Sequence, residues 1–505
     1  MLPHFTGHVA VVAFTQPWVR VPLHRFVLLV VGAVLVLRVG YLTGPLASDE
    51  AGYLLVAESW RRGGPNLYGH YFVDRPPLLI TLYRVAALTG WAPTVRVLAT
   101  GFSVLLVVAA AWAAHQVAGD RGARWAAMVA AALVTTPMLA AQEADGEIFA
   151  APLVMLAVAL TLAAVRRAGW RSFLPAVAAG VAAGSAVMVK QNFVDGVVFA
   201  GVLVLASVAQ RRLSGRDSLR VVAGGCAGGV LVVLGALGFV AWSRVGIAVA
   251  WTDVFGVRSS ALDVIEDHSL HAPMLRATSL VVLAVVAGLL PMLAALVVEA
   301  VRRRGRGSPV AWAVGATLLV EVVSIAMGGS YWAHYLLQLA PMLALAAGLW
   351  AADAARVRAC AALVVAASVA ASSVILLSGA AFGHRDQRVG AWLHASSRPG
   401  DTVTQLFGNA DAQQASGMAS PYPQLWTLPM RTLDPHLSQL RAVLRSPHAP
   451  TWVVAWGDLD PWRIDAHGLT RRTLAQHYEP VADVCGHVVY LHDGLRRDLA
   501  PVRCR

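Results

Sequence analysis

The sequence predicts an all-α polytopic membrane bundle of about eleven transmembrane helices, followed by a small α/β domain on the extracytoplasmic side. Of its 505 residues, 57% are hydrophobic and only 13% are charged, whereas a soluble protein carries roughly 25% charged residues. The charges are clustered, and the apolar segments between the clusters are long enough to cross a hydrocarbon layer about 30 Å thick. The charged residues are therefore too few to cover the surfaces of several soluble domains.

The membrane domain is predicted to occupy residues 1–383, and the soluble domain residues 384–505. Lipid offers the backbone no hydrogen-bond partners, so each apolar segment should form a helix. The predicted spans lie near residues 26–43, 95–118, 125–142, 147–165, 173–190, 192–209, 221–242, 277–300, 310–328, 335–352 and 360–380.

Charge in the connecting loops predicts the orientation. Arginine-rich segments with few acids occur in alternate loops, at 119–124, 166–171, 210–220, 302–308 and 355–358, and Arg20 and Arg25 precede the first span. Such loops stay in the cytoplasm, which places the N-terminus inside and the C-terminal domain outside the plasma membrane. The net charge of +12 thus reflects topology, and without a basic stripe interleaved with aromatic residues we expect no nucleic-acid partner.

Two predicted outer loops are long. The first, 44–94, contains the apolar stretch 76–90, which is too short to span and reads as an interfacial helix. The second, 243–276, contains Arg258 and offers polar groups to an acceptor. It is either a lid over a cavity or an ordinary solvated loop. Its other polar candidates are Asp253, Glu266, Asp267, His268 and His271.

The C-terminal stretch has the pattern of a small α/β domain. Short β-rich segments at 401–407, 451–456 and 487–492 predict strands, and 434–446 predicts a helix. No GxGxxG motif follows a strand, so nothing points to a dinucleotide. Cys485 and Cys504 are expected to form a disulfide in an oxidising compartment, the alternative being two free thiols.

The first candidate site residues are Asp49 and Glu50, directly after the first span. A carboxylate at this surface can act as a general base or a metal ligand. Alternatively, Ser48 caps a helix whose first turn carries both acids. Further along the loop, Tyr71, Asp74 and Arg75 precede Pro76-Pro77, where they either bind a phosphate or anchor the loop at the interface.

Three more candidates fall on the same predicted side. Asp145 and Glu147 lie in the acidic turn 142–152. Acids there either point into the bundle and have a functional role, or are simply exposed at the outer end of a short turn. Lys190 is the single lysine of a sequence with 39 arginines. It either contacts a phosphate or occurs in this short turn by chance. His334 either touches substrate or is an interfacial residue satisfied by water.

This ordered set of motifs resembles the GT-C glycosyltransferases, in particular the dolichyl-phosphate-mannose protein mannosyltransferases and the lipid A aminoarabinose transferase. The matching features are Asp49-Glu50, Tyr53, YFVDRPPL at 71–78, the acidic turn ending in Glu147, Lys190, HYLLQLAP at 334–341, and PGDTVTQLFGN at 399–409 followed by SGMASPYP. The resemblance covers most of the chain, and the ordered set is more specific than any single motif.

The resemblance implies an inverting transfer of sugar from a polyprenyl-phosphate donor to an extracytoplasmic acceptor. Asp49 matches the catalytic acid of the first outer loop, and Glu147 the second acidic position, where relatives often carry Asp. Tyr53 belongs to the same substrate-binding set, and Arg75 and Lys190 would hold the donor phosphate. A divalent cation, if one is used, would involve Asp49 and Glu147.

Two other functions remain open from the sequence. A transporter or flippase would share the spans and buried charges, but would be expected to show repeats and broken helices at mid-membrane. A catalytically inactive assembly scaffold would not need the acids. The sugar, the acceptor and the oligomeric state do not follow from the sequence.

Overall fold

The computed structural model describes residues 21–268, 271–303, 307–379 and 385–504. Arg20, the middle of the 302–308 turn, the predicted domain boundary at 383/384 and the side chains of Glu266, Asp267 and His268 lie outside the described part of the chain.

The N-terminal part of the protein is helical. Its helices are α1 (Leu23–Val39), α2 (Ser48–Glu58), α3 (Pro77–Ala87), α4 (Thr94–Leu133), α5 (Gly146–Val165), α6 (Phe173–Val189), α7 (Asp195–Ala209), α8 (Gly215–Ser243), α9 (Ile247–Trp251), α10 (Val257–His268), α11 (His271–Val286), α12 (Leu289–Arg302), α13 (Pro309–Ala326), α14 (Ala340–Trp350) and α15 (Ala355–Ser378). A 3-10 turn at Ala333–Leu339 leads directly into α14.

Seven helical segments in the described ranges are long and apolar enough to cross a membrane, and the pair α11 and α12, bent by 67°, makes an eighth if it is counted as one span. The chain is therefore a multi-pass membrane protein. The predicted number of eleven spans is not confirmed. α1 and α7 have only 17 and 15 residues, and predicted spans two and three lie largely within the 40-residue α4, which breaks at Gly119 where φ is 66°.

Both long segments that are predicted to lie outside contain helices. The first contains α2 and α3, and α3 occupies most of the stretch predicted to lie at the interface. The second is not an ordinary loop, because it forms α9, a π-helical turn at Thr252–Gly256, α10 and the start of α11.

The C-terminal domain combines short helices with one sheet. Its elements are α16 (Arg385–Ser396), β1 (Val403–Leu406), α17 (Ala410–Ser416), α18 (Thr427–Leu433), α19 (Ser438–Leu444), β2 (Trp452–Ala455), α20 (Leu469–His477), β3 (Tyr478–Val484) and β4 (His487–His492). The strand order is β1-β2-β4-β3. β1 and β2 are parallel, and the other two pairings are antiparallel.

The C-terminal domain packs on the first outer segment of the membrane domain. The Phe72 amide donates to the Pro423 carbonyl over 3.1 Å, and the Gln387 side chain donates to the Leu46 carbonyl over 3.1 Å. These hydrogen bonds hold the domain over one end of the helical bundle, where the candidate site lies.

Candidate active site

A cavity of about 590 Å³ lies between the membrane domain and the C-terminal domain. Its walls come from the start of α2, the segment 72–75, the acidic turn before α5, α10, the segment 330–335 and the loops around α18. Because α5 begins at this end and runs to Arg166, the cavity and that arginine-rich turn lie at opposite ends of the bundle. The cavity therefore faces the side that the charge pattern predicts to be extracytoplasmic.

Asp49 lines this cavity from the first turn of α2. Its carboxylate accepts a hydrogen bond of 3.2 Å from the Tyr53 hydroxyl, which itself accepts one of 2.9 Å from Arg75 Nε. Burial and the nearby Asp145 carboxylate raise the pKa of Asp49 above its usual value. A carboxyl group with a raised pKa is a better proton acceptor than an ordinary surface carboxylate.

Glu50 points away from the cavity and is completely buried. Its two oxygens accept hydrogen bonds of 2.9 and 2.6 Å from the Arg96 guanidinium and of 2.8 Å from each of the Ala47 and Ala144 amides. Glu50, rather than Ser48, thus closes the N-terminus of α2, and it ties this helix to α4 and to the acidic turn.

Asp74 and Arg75 form an ion pair on the cavity wall, at 2.6 Å between Asp74 Oδ1 and Arg75 Nη1. Arg258, from α10, reaches the other oxygen of Asp74 at 2.9 Å. Burial opposes the ionisation of Asp74, but the two guanidinium groups lower its pKa to about 2. The Gln191 side chain fixes the backbone of Asp74 with a hydrogen bond of 2.8 Å.

The acidic turn meets His334 at the cavity wall and Lys190 behind it. Lys190 and Glu147 form a buried ion pair, because α6 ends beside the beginning of α5. His334 Nδ1 lies 2.8 Å from Asp145 Oδ2, and its Nε2 lies 3.8 Å from Glu147 Oε1. Folding therefore brings together residues that are nearly 190 positions apart in the sequence.

Glu143, an acid of the turn 142–152 with no predicted role of its own, joins Asp145 and His334 in a possible metal site. One potential ligand atom from each of these residues lies within 4.8 Å of the others. Burial and the charge of Asp145 raise the pKa of Glu143 well above its usual value, and a cation would relieve this repulsion. This set differs from the predicted pair of Asp49 and Glu147, since Glu147 is already paired with Lys190.

Tyr71, like Glu50, Glu147 and Lys190, is a predicted site residue that does not line the cavity. Its hydroxyl accepts hydrogen bonds of 3.0 Å from the Gln413 side chain and 2.8 Å from the Ser420 amide. Tyr71 therefore joins the first outer segment to the C-terminal domain.

Several cavity residues carried no recognisable sequence signal. The guanidinium carbon of Arg276 lies 4.8 Å from the centre of the Trp332 ring, and its Nε donates a hydrogen bond of 2.7 Å to the Ser330 carbonyl. The C-terminal domain supplies further lining residues, including Asn409, Trp426, Arg431 and Trp462. Neither periodicity nor spacing could indicate these positions, because they lie on separate segments of the chain, Arg276 on α11 and Arg431 on α18, that meet only after folding.

The bundle, the outer segment carrying Asp49 and the domain that closes the cavity together have the fold of the GT-C glycosyltransferases. ArnT from Cupriavidus metallidurans, solved with bound undecaprenyl phosphate, is similar to this chain with a TM-score of 0.64 and 16% identity, over 92% of this chain and 98% of ArnT. The oligosaccharyltransferase AglB from Archaeoglobus fulgidus, solved with an inhibitory peptide and a dolichol-phosphate, gives a TM-score of 0.53 and 13% identity, over 86% of this chain and 69% of AglB. These similarities confirm the GT-C fold that the resemblance implies, but not the number of spans. No family model and no curated protein matches the sequence.

Proposed function

We propose that this protein is an inverting glycosyltransferase that moves a sugar from a polyprenyl-phosphate donor to an extracytoplasmic acceptor. The observation that carries this proposal is the cavity in which Asp49, with a raised pKa, lies close to several cationic side chains at one end of the bundle. The fold shared with ArnT, whose structure contains undecaprenyl phosphate, supports a lipid-linked donor.

In the proposed reaction, Asp49 accepts the proton of an acceptor hydroxyl or amine. The acceptor atom then forms a bond to the anomeric carbon from the face opposite the phosphate. The bond between that carbon and the phosphate oxygen breaks, and the polyprenyl phosphate leaves with the electron pair. Inversion follows from this single displacement.

The cationic side chains stabilise the charge that develops on the leaving phosphate. Arg75, Arg258 and Arg276 line the cavity, whereas Lys190 lies behind its wall beside Glu147. We therefore assign direct phosphate contact to the three arginines and a supporting electrostatic role to Lys190. The lipid chain remains among the membrane tails while the sugar occupies the cavity.

Glu143, Asp145 and His334 are the residues that would hold a divalent cation. Two carboxylates and an imidazole suit several divalent metals. A bound cation would supply Lewis-acid stabilisation of the phosphate charge, while Glu147 and Lys190 would keep the acidic turn in position.

A transfer assay tests the proposal. Purified protein in nanodiscs is incubated with undecaprenyl phosphates carrying different radiolabelled sugars and with a delipidated extract of cell-envelope glycans. We expect label to move from at least one donor into the glycan fraction. In proteoliposomes, movement of intact donor across the bilayer without cleavage would instead identify a flippase, and donor binding without cleavage or movement would identify a scaffold.

The orientation is a separate part of the proposal. Reporter fusions after residues 168 and 356 should be cytoplasmic, and fusions after residues 260 and 400 should be outside, because the arginine-bearing turns are retained in the cytoplasm. A cytoplasmic reporter at residue 400 would place the cavity on the wrong side for an extracytoplasmic acceptor.

A further inference from the structure

We propose that Arg431 and Trp462 form a second anion-binding subsite in the cavity, which holds a carboxylate or phosphate group on the acceptor sugar. This inference deepens the proposed glycosyltransferase function and rests on that function for the identification of the ligand as an acceptor. Both residues belong to the C-terminal domain and line the same cavity as Asp49.

Arg431 is buried, with only 6% of its surface exposed. Its guanidinium carbon lies 3.9 Å from the centre of the Trp462 ring, so the two planar groups pack together. Its Nη2 donates a hydrogen bond of 2.8 Å to the Val264 carbonyl on α10, and its Nε has no hydrogen-bond partner in the described structure. One hydrogen bond and one ring contact thus fix the group while leaving donor capacity for a ligand.

The charge environment of Arg431 differs from that of Arg75 and Arg258, two of its cationic neighbours in the cavity. Arg75 and Arg258 both pair with Asp74, whereas no carboxylate among the described side chains lies within ion-pairing distance of Arg431. A buried charge without a counter-charge is costly, and burial lowers the pKa of the Arg431 guanidinium. An anionic ligand would supply the missing charge.

Helix α10 separates this subsite from the place proposed for the donor phosphate. Arg258, at its first turn, contacts Asp74, and Val264, six residues later, contacts Arg431. Six residues of α-helix span roughly 9 Å. Arg431 also lies on α18 of the C-terminal domain and not on a helix of the bundle. These positions favour the acceptor over the donor as the source of the anion.

The planar guanidinium suits a carboxylate or a phosphate, because two of its N–H groups can donate to two oxygens of the same anion. A neutral sugar would leave the buried charge unbalanced. The subsite therefore predicts a preference for acidic over neutral acceptor sugars.

The test uses equilibrium dialysis of the full-length protein in nanodiscs, first saturated with undecaprenyl phosphate so that the proposed donor site is filled. The probes are radiolabelled glucuronic acid, glucose 1-phosphate and glucose. We expect at least one anionic probe to bind about tenfold or more tightly than glucose, as expected for a charge-assisted hydrogen bond. Arg431→Gln should abolish this preference without changing the affinity for undecaprenyl phosphate.

Two further variants keep the test decisive. Arg431→Lys retains the charge but not the fork of donors, so it should bind glucose 1-phosphate better than Arg431→Gln does. Arg445→Gln is the matched control, because Arg445 is exposed on the same domain and donates to Thr473; its affinities should equal those of the wild type.

The proposal fails if Arg431→Gln retains the wild-type preference, or if the loaded wild type binds none of the anionic probes more tightly than glucose. Binding of undecaprenyl phosphate in the same experiment reports separately on the proposed function. If that lipid does not bind, dialysis with the anionic probes alone still decides whether Arg431 forms an anion site, and the glycosyltransferase proposal is the part that is contradicted.

Discussion

Replacing Glu50 by Gln should destabilise the protein strongly, whereas replacing its neighbour Asp49 by Asn should have little effect on stability. Glu50 is fully buried, and its oxygens accept two hydrogen bonds from Arg96 and one each from the Ala47 and Ala144 amides. A Gln side chain turns one acceptor into a donor that faces other donors, and it leaves the Arg96 charge, 1% exposed, without its counter-ion. Removing one partner of a buried ion pair costs about 3–5 kcal/mol.

The corresponding change at Asp49 removes much less. Asp49 is only partly buried and accepts one side-chain hydrogen bond, from Tyr53 over 3.2 Å, so Asp49→Asn should cost no more than ~1.5 kcal/mol. Thermal unfolding of both variants in the same detergent measures the contrast. We expect a clearly lower melting temperature for Glu50→Gln. Equal melting temperatures would refute the assignment of Glu50 to structure and Asp49 to chemistry.

Three further predictions concern the site and the outer domain. Asp145→Asn removes a negative charge that helps to raise the pKa of Asp49; the acidic limb of the turnover–pH profile should move to lower pH, and an unmoved limb would contradict the coupling. Arg258→Gln should weaken donor use severalfold in KM measurements while the protein stays folded, because α10 loses its link to the cavity wall; an unchanged KM would count against α10 as part of the donor site. Cys485 and Cys504 form a disulfide, and the loop that it closes should add ~3 kcal/mol to the free energy of unfolding. Unreduced, denatured protein should resist thiol labelling at both positions, and labelling of both would contradict the disulfide.

Local patterns in the sequence predicted much of the fold. The apolar segments and arginine-rich turns predicted a multi-pass bundle, and short segments rich in β-forming residues located three of the four strands. The missed strand, β3, contains Pro480 and alternates poorly, features that an edge strand tolerates because one side of it has no neighbour. The charged residues of segment 243–276 interrupt its apolar pattern and predict a loop, although the segment forms α10.

The candidate site was predictable only where its residues carried a local signal. Asp49, Asp145 and Lys190 stood out as acids or a lone lysine at the ends of spans. The different roles of Asp49 and Glu50 could not be inferred from adjacent positions, because they depend on Arg96, 46 residues from Glu50. The contribution of the C-terminal domain likewise appears only when Arg431 and the bundle are brought together.

The most direct test of the account is the turnover of purified Asp49→Asn enzyme with saturating polyprenyl-phosphate sugar donor. The substitution keeps the size of the side chain and removes the proton-accepting charge. A positioned general base contributes roughly 10²–10⁴-fold, so the variant should lose that much of its transfer rate while its melting temperature and donor binding stay close to those of the wild type. A well-folded Asp49→Asn enzyme with near-normal turnover would contradict the proposed mechanism.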